Sequence, residues 1–215
     1  MAAARALIFD FNGTLSHDEP LLCAIYQDLF ARHGRPLSPA EYYRELAGLS
    51  EEAIISGWLG VEGAQLDDLI AERVARYRVV AADGSTIGQA VRAAVRYAAE
   101  RVPVAIVSGA FCAEIEPVLE AADLTSLFTT VVTADDVDDG KPHPAGYLRA
   151  LALLDGGMLA EEVVAFEDTE AGVASAKAAG LNCLALSGTL PSERLAQADE
   201  LVPAIDVPLI RRLLA

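Results

Sequence analysis

The chain is poor in cysteine and in positive charge, and it has no long apolar run. Its three cysteines, Cys23, Cys112 and Cys183, stand far apart among 215 residues. Their spacing matches no metal-ligand or disulfide framework, and an odd number cannot all pair within one chain. Reduced thiols in a cytoplasmic protein are the expectation that follows. Only 16 Lys and Arg stand against 32 Asp and Glu, a formal net charge of −16. A field of that sign repels nucleic acid and anionic membranes, so neither is an expected partner. It also repels an anionic substrate unless a cation or local basic groups offset it at the site. No stretch is long and apolar enough to span a membrane as a helix. The opening MAAARALIFDF has too short an apolar run for a signal peptide. Internal repeats and low-complexity linkers are also missing.

What is present is a chain for a packed domain. Hydrophobic residues make up 53% of it, which argues against disorder. Its length suffices for one full domain, or one domain with a smaller insert, around a real core. A monomer or homodimer is expected.

Ala6 to Phe11 reads as a buried strand. From about Pro20 to Ala82 the signals are helical. SPAE at 38–41 is a capping box, Ser50 before Glu51 and Glu52 opens a second helix, and Leu66, Leu69, Ile70, Val74 and Tyr77 mark a third. After DGST at 83–86 the pattern changes. Ile87, Ala90, Val91, Ala94, Val95 and Ala98 form a helical stripe, and VPVAIVSG (102–109) follows as a strand. A helix over about 112–121, a strand near 128–133, an acidic loop ADDVDDG (134–140) and a helix from Pro144 come next. EEVVAFED (161–168) is a strand ending in two acids, TEAGVASAKAAG (169–180) a helix closed by Gly180, and LNCLAL (181–186) a further strand. Weaker elements lie near DELVP and VPLIRRLL. Strands alternating with helices imply an α/β fold, a doubly wound parallel sheet covered on both faces. Connections in such folds are short. Residues 17–83 are therefore an inserted helical domain, and residues 1–16 and 84–215 form the Rossmann-like core.

Asp10, Ser108 and Asp168 each sit at the C-terminal end of an expected strand, and Lys141 sits in a loop before a helix. Ligands of open α/β sheets bind outside the carboxyl ends of the strands. A carboxylate, a hydroxyl beside a glycine, a lysine and a pair of acids meeting there suit phosphoryl transfer. The acids can hold Mg²⁺, which prefers oxygen ligands, the lysine and backbone N–H groups can neutralise phosphate, and one carboxylate can act as nucleophile. His17, His33 and His143 form no metal cluster by spacing, although His17 is near enough to the insert to face the site. Trp58 reads as core of the insert. Arg44 and Arg73 also lie there. Either could reach a substrate anion, but a solvated helix face is the more ordinary place for each.

DFNGTL, the Ser108-Gly109 strand end, GKPHPAGY around Lys141 and FEDTEAGVASAKAAG around Asp168 resemble, in order, the four motifs of the haloacid dehalogenase superfamily. The helical insert falls where its phosphatase and phosphomutase branch carries a cap. The resemblance implies that Asp10 attacks phosphorus and becomes an aspartyl phosphate, which water then hydrolyses. It implies Mg²⁺ held by Asp10, the main-chain carbonyl of Asn12 and Asp168, with Glu167 close by. It implies that Gly13, Thr14, Ser108, Gly109 and Lys141 hold the phosphate of a small phosphorylated metabolite.

Asn12 departs from the pattern. The phosphatases carry Asp two residues after the nucleophile, where it protonates the leaving oxygen and then activates water. Asn still offers a main-chain ligand, but its amide is neither acid nor base near neutral pH. Dehalogenases lack that second Asp too, but they also lack the acidic pair found here in FEDT. Phosphonatases use a cap lysine, and residues 21–82 contain none. The expected function is therefore a Mg²⁺-dependent phosphohydrolase, slow if nothing replaces the acid. Substrates with good leaving groups, another proton carrier such as His17, or an impaired phosphate-binding protein or engineered trap each remain open, as does a sugar-phosphate mutase. Asn12→Asp should raise turnover unless another group already carries the proton.

Overall fold

Ala6, Leu7, Ile8 and Phe9 are wholly buried in strand β1 (Ala6–Phe9), and their alternation divides the core in two. The computed structural model describes residues 3–154 and 157–215, so Met1 and Ala2 of the expected 1–16 segment lie outside the described residues. Leu7 and Phe9 join a cluster that takes in Val91 and Val95 of α5 (Gln89–Ala99), Ile115 of α6 (Cys112–Ala121) and Ile210 of α9 (Val207–Leu213). Ala6 and Ile8 face the other way, toward Tyr147 and Ala150 of α7 (Ala145–Leu153) and Val173 and Ala176 of α8 (Glu170–Ala178). Successive side chains of a strand point to opposite faces, so an unbroken apolar strand needs cover on both.

The sheet is parallel throughout, in the order β3-β2-β1-β4-β5-β6. Its other strands are β2 (Val104–Val107), β3 (Thr130–Val132), β4 (Val163–Glu167), β5 (Asn182–Leu186) and β6 (Glu200–Val202). The expected strands are all present, each trimmed by a residue or more, and the tail resolves into β6 and α9. Ile8 is level with Ala105 of β2 and Ala165 of β4, and the Phe9 and Phe166 rings stack at 4.9 Å. The chain winds from β1 outward to β3, then returns to the other side of β1 for β4. The crevice between β1 and β4, at their carboxyl ends, is the topological switch point where such sheets bind ligands.

Between β1 and α5 the described residues form α1 (Glu19–Arg32), α2 (Pro39–Glu41), α3 (Glu51–Leu59) and α4 (Ala64–Val80), with no ladder strand among them. The Ser38–Glu41 capping box forms, yet α2 passes after one turn into a π-helical turn over Tyr42–Leu46. Ser50 caps α3 by accepting from the Ala53 N–H at 3.3 Å. Trp58 is half-buried, stacked on Phe30, and donates to the Arg35 carbonyl at 2.9 Å. On α4, Leu69 and Tyr77 are buried as the spacing predicts, but so is Arg73, at 1% exposure. This corrects the expectation of a solvated Arg73. Positions 69, 73 and 77 share one helix face, and the guanidinium is held there by Glu51 of α3 and Glu114 of α6. Arg44 does lie on a solvated face, paired with Glu45.

Candidate active site

Asp10 follows β1 directly, and its N–H donates to the Phe166 carbonyl at 2.9 Å, continuing the sheet beyond the last paired strand residues. The same extension carries Ser108 off β2, and β4 ends in Glu167 and Asp168. All four side chains are nearly or wholly buried. Lys141 arrives from the loop before α7. Its Nζ lies 2.5 Å from Asp10 Oδ1 and 2.6 Å from Glu167 Oε1, and donates to the Val107 carbonyl at 3.1 Å. Glu167 Oε1 also accepts from the Tyr147 hydroxyl at 2.6 Å. Burial works against the Lys141 charge, but Asp10 and Glu167 more than offset it and raise its pKa.

One lysine faces three buried carboxylates. Asp10, Glu167 and Asp168 each present an oxygen within 4.8 Å of the others. Burial pushes Asp10 up to about 7; Lys141 pulls it back and Glu167 adds to the rise. Burial raises Asp168 as well, and Asp10 and Glu167 reinforce it. Asp168 Oδ1 accepts from Thr14 Oγ1 at 3.3 Å, while Asp168 Oδ2 is buried without a hydrogen-bond partner. A buried carboxylate oxygen left unpaired is costly, and a hard divalent cation with oxygen preference satisfies both that oxygen and the excess charge. The residues present therefore fit Mg²⁺. Gly13 makes the arrangement possible. Its φ is +72°, and a Cβ there would stand 1.9 Å from Asp168 Oδ2, so a side chain at 13 collides with the carboxylate.

A cavity of about 380 Å³ opens over this group. Asp10, Asn12, Ser108, Gly109, Lys141 and Asp168 line its sheet side. The structure thus brings together most of the residues expected from the sequence. Gly13, Thr14 and Glu167 sit behind that lining. Thr14 is fully buried and turned to Asp168, and Glu167 is engaged by Lys141 and Tyr147. His17 is exposed and does not line the cavity. The acidic loop after β3 flanks the mouth through Asp138 and Asp139, both exposed.

Several site-facing residues escaped the sequence reading. Asp18 is fully buried just before α1, a position where a carboxylate ordinarily caps the helix. Instead it accepts from Asn12 Nδ2 at 2.8 Å, from the Gly13 N–H at 3.1 Å and from the Tyr77 hydroxyl. Glu19, Tyr42 and Glu51 line the helical side of the cavity. Asp18 and Glu19 belong to the same SHDE run as the first motif, but no spacing rule tells a buried acid from a helix cap. The structure also gives Asn12 a physical reason: its amide is the donor that buried Asp18 needs. Asn12→Asp sets two carboxylates against each other and removes that donor, at a cost of ~1–3 kcal/mol. Thermal unfolding should show a melting temperature several degrees lower. Adding Asp18→Asn should recover most of the loss, since the pair regains a donor and an acceptor. An unchanged melting temperature for the single variant counts against the Asn12–Asp18 contact.

Residues 7–186 match the family described as haloacid dehalogenase-like hydrolase. The chain is 31% identical over 92% of its length to the validoxylamine A 7'-phosphate phosphatase of Streptomyces hygroscopicus subsp. limoneus, again over 92% of that protein. It is 29% identical to the phosphorylated carbohydrates phosphatase of Thermotoga maritima, over 82% of each chain. Its fold is similar to that of CbbY from Rhodobacter sphaeroides, solved in complex with phosphate, with a TM-score of 0.83, 25% identity and coverage of 94% of this chain and 95% of that one. The match spans the sheet from its first strand to its fifth, and the relatives align along nearly the whole length: the chain belongs to the haloacid dehalogenase-like hydrolase family.

Proposed function

We propose that the protein is a Mg²⁺-dependent phosphatase that hydrolyses the monoester of a small phosphorylated metabolite through an aspartyl phosphate on Asp10. The observation that carries this reading is the meeting of Asp10, Lys141, Glu167 and Asp168 at the switch point of the sheet, with the Asp168 Oδ2 atom left unpaired. Asp10, Asp168 and the main-chain carbonyl of Asn12 would hold Mg²⁺, with Glu167 beside them. Bound there, Mg²⁺ supplies charge neutralisation that lets an anionic phosphate approach an acidic site.

The chain's own residues do the rest. Asp10 Oδ attacks phosphorus. Lys141 stays protonated between Asp10 and Glu167, and its ammonium, the Ser108 hydroxyl and the backbone N–H of Gly109 receive the phosphoryl oxygens. Thr14 and Gly13 act from behind, holding Asp168 in place and leaving room for it. Tyr147 and Glu167 fix Lys141. Residues 17–83 form a helical cap on the core (1–16 and 84–215), and closure of such a cap excludes water and selects substrate. Glu19, Tyr42, Ser50 and Glu51 line the cap side together with Leu22, Leu49 and Ile54, a mixed wall whose polar members suit the hydroxyls of a phosphorylated carbohydrate. A mutase would need a cation there for a second phosphate. Arg73, the cap cation that lines the cavity, is already held by Glu51 and Glu114. Cys23, Cys112 and Cys183 are free thiols, the state favoured in a reducing compartment, and we place the protein in the cytoplasm.

A panel of sugar, cyclitol, acyl and nucleotide phosphates, assayed for released phosphate with and without Mg²⁺, tests the reading. Turnover of at least one sugar-like monoester is expected, lost on chelation and restored by Mg²⁺. Turnover indifferent to chelation would sink the metal assignment.

A further inference from the structure

We infer that Glu19 carries the proton that Asn12 cannot, as a catalytic residue of the phosphatase. The inference rests on the phosphatase reading and deepens it. Glu19 is the first residue of α1 and lines the same cavity as Asp10 and Asn12. The residue before it, Asp18, accepts hydrogen bonds from Asn12 Nδ2 and the Gly13 N–H, so the loop bearing Asn12 is tied to the helix start bearing Glu19. Glu19 Oε1 accepts from the hydroxyl of buried Tyr42 at 2.9 Å. Its Oε2 has no hydrogen-bond partner among the described residues and is left for a substrate proton.

The other acids of the cavity are committed elsewhere. Glu51 is held by Arg73 and by the Tyr26 hydroxyl. Glu52, Asp138 and Asp139 are exposed, as is the lining histidine, His143, and Asp10 and Asp168 belong to the metal group. Burial pushes Glu19 up to about 7, against the Tyr42 hydrogen bond and with Asp18 adding to the rise. An acid so placed can both give and take a proton near neutral pH.

The step balances. As the Asp10 oxygen bonds to phosphorus and the ester P–O bond breaks, the Glu19 proton goes to the leaving oxygen and an alcohol departs. Glu19, now a carboxylate, takes a proton from water as the water oxygen attacks phosphorus. The bond to Asp10 breaks, phosphate is released, and Glu19 is again protonated.

The test is the dependence of kcat/KM on the leaving group, from 4-nitrophenyl phosphate to simple alkyl phosphates, at saturating Mg²⁺. Wild type should vary by no more than ~tenfold across the series, because the leaving oxygen is protonated as it departs. Glu19→Gln should lose ~10²–10³-fold on the alkyl esters and only a few-fold on 4-nitrophenyl phosphate. Asn12→Asp in the Glu19→Gln background should restore the alkyl esters. Equal losses on both kinds of ester, or no loss, overturn the inference. If Glu19→Gln does not fold, two measurements still decide. A steep leaving-group dependence in wild type, or a gain of ~10² or more from Asn12→Asp alone, overturns it. Each of these results leaves phosphatase activity intact. Absence of turnover with every ester, 4-nitrophenyl phosphate included, overturns the phosphatase reading and the inference with it.

Discussion

Asp10→Asn should lower phosphate release by ~10⁴–10⁶-fold, the scale on which removing an enzyme's nucleophile acts, with the fold intact. The amide keeps the shape of the carboxylate but cannot form a stable acyl phosphate. The site does not collapse, because Lys141 keeps Glu167 at 2.6 Å and the Val107 carbonyl at 3.1 Å. The Asp10 N–H, bonded to Phe166, is untouched. Acid-quenched intact-mass analysis after incubation with acetyl phosphate and Mg²⁺ adds a second readout. Wild type should show a phosphoryl adduct and the variant none. Substantial turnover by Asp10→Asn would mean that water attacks phosphorus directly, and the aspartyl phosphate would have to be abandoned. Asp168→Asn should also lose activity, but by weakened Mg²⁺ binding, so raising the Mg²⁺ concentration should recover part of it.

The largest effect on stability should come from Arg73→Met. Arg73 is 1% exposed and Glu114 fully buried, and Glu114 Oε2 also accepts from the Phe111 N–H at 3.2 Å at the start of α6. Removing one partner of a buried ion pair leaves the other charge uncompensated, at a cost of ~3–5 kcal/mol. For a chain of this size that is a melting-temperature loss of ~10 °C. Burial raises the Glu114 pKa and Arg73 lowers it. Without Arg73 the carboxyl rises further above its unfolded value of ~4.3. A group whose pKa rises on folding takes up a proton on folding, so stability falls as pH climbs from the unfolded value toward the folded one. The deficit of Arg73→Met should therefore shrink toward pH 4 and be full near pH 8. Adding Glu114→Gln should recover part of it at pH 8 and little at pH 4. A deficit under ~1 kcal/mol would place the pair at the surface, where ion pairs contribute little.

Much of this was legible in the chain itself. Apolar runs of strand length, alternating with helical stripes such as Val91–Val95–Ala98, dictate a parallel sheet covered on both faces, because both kinds of element must bury their apolar side. Asp10, Ser108 and Asp168 at the ends of three such runs then have to converge, since parallel strands place all their carboxyl ends on one edge. Those conclusions follow from local sequence and chain direction. The roles of acids outside the motifs do not. Asp18 looks like a helix cap, Glu19 like a first-turn acid and Arg73 like a solvated cation, because each has those environments open to it along an isolated helix. The folded chain chooses among them by bringing distant groups together: Tyr77 and Asn12 to Asp18, Tyr42 to Glu19, Glu51 and Glu114 to Arg73. Local sequence sets the sheet, the strand-end place of Asp10 and the amide at position 12, because periodicity and chain direction are local properties. Only the tertiary structure decided which charges are buried and what holds them, because desolvation and pairing depend on neighbours far apart in the chain.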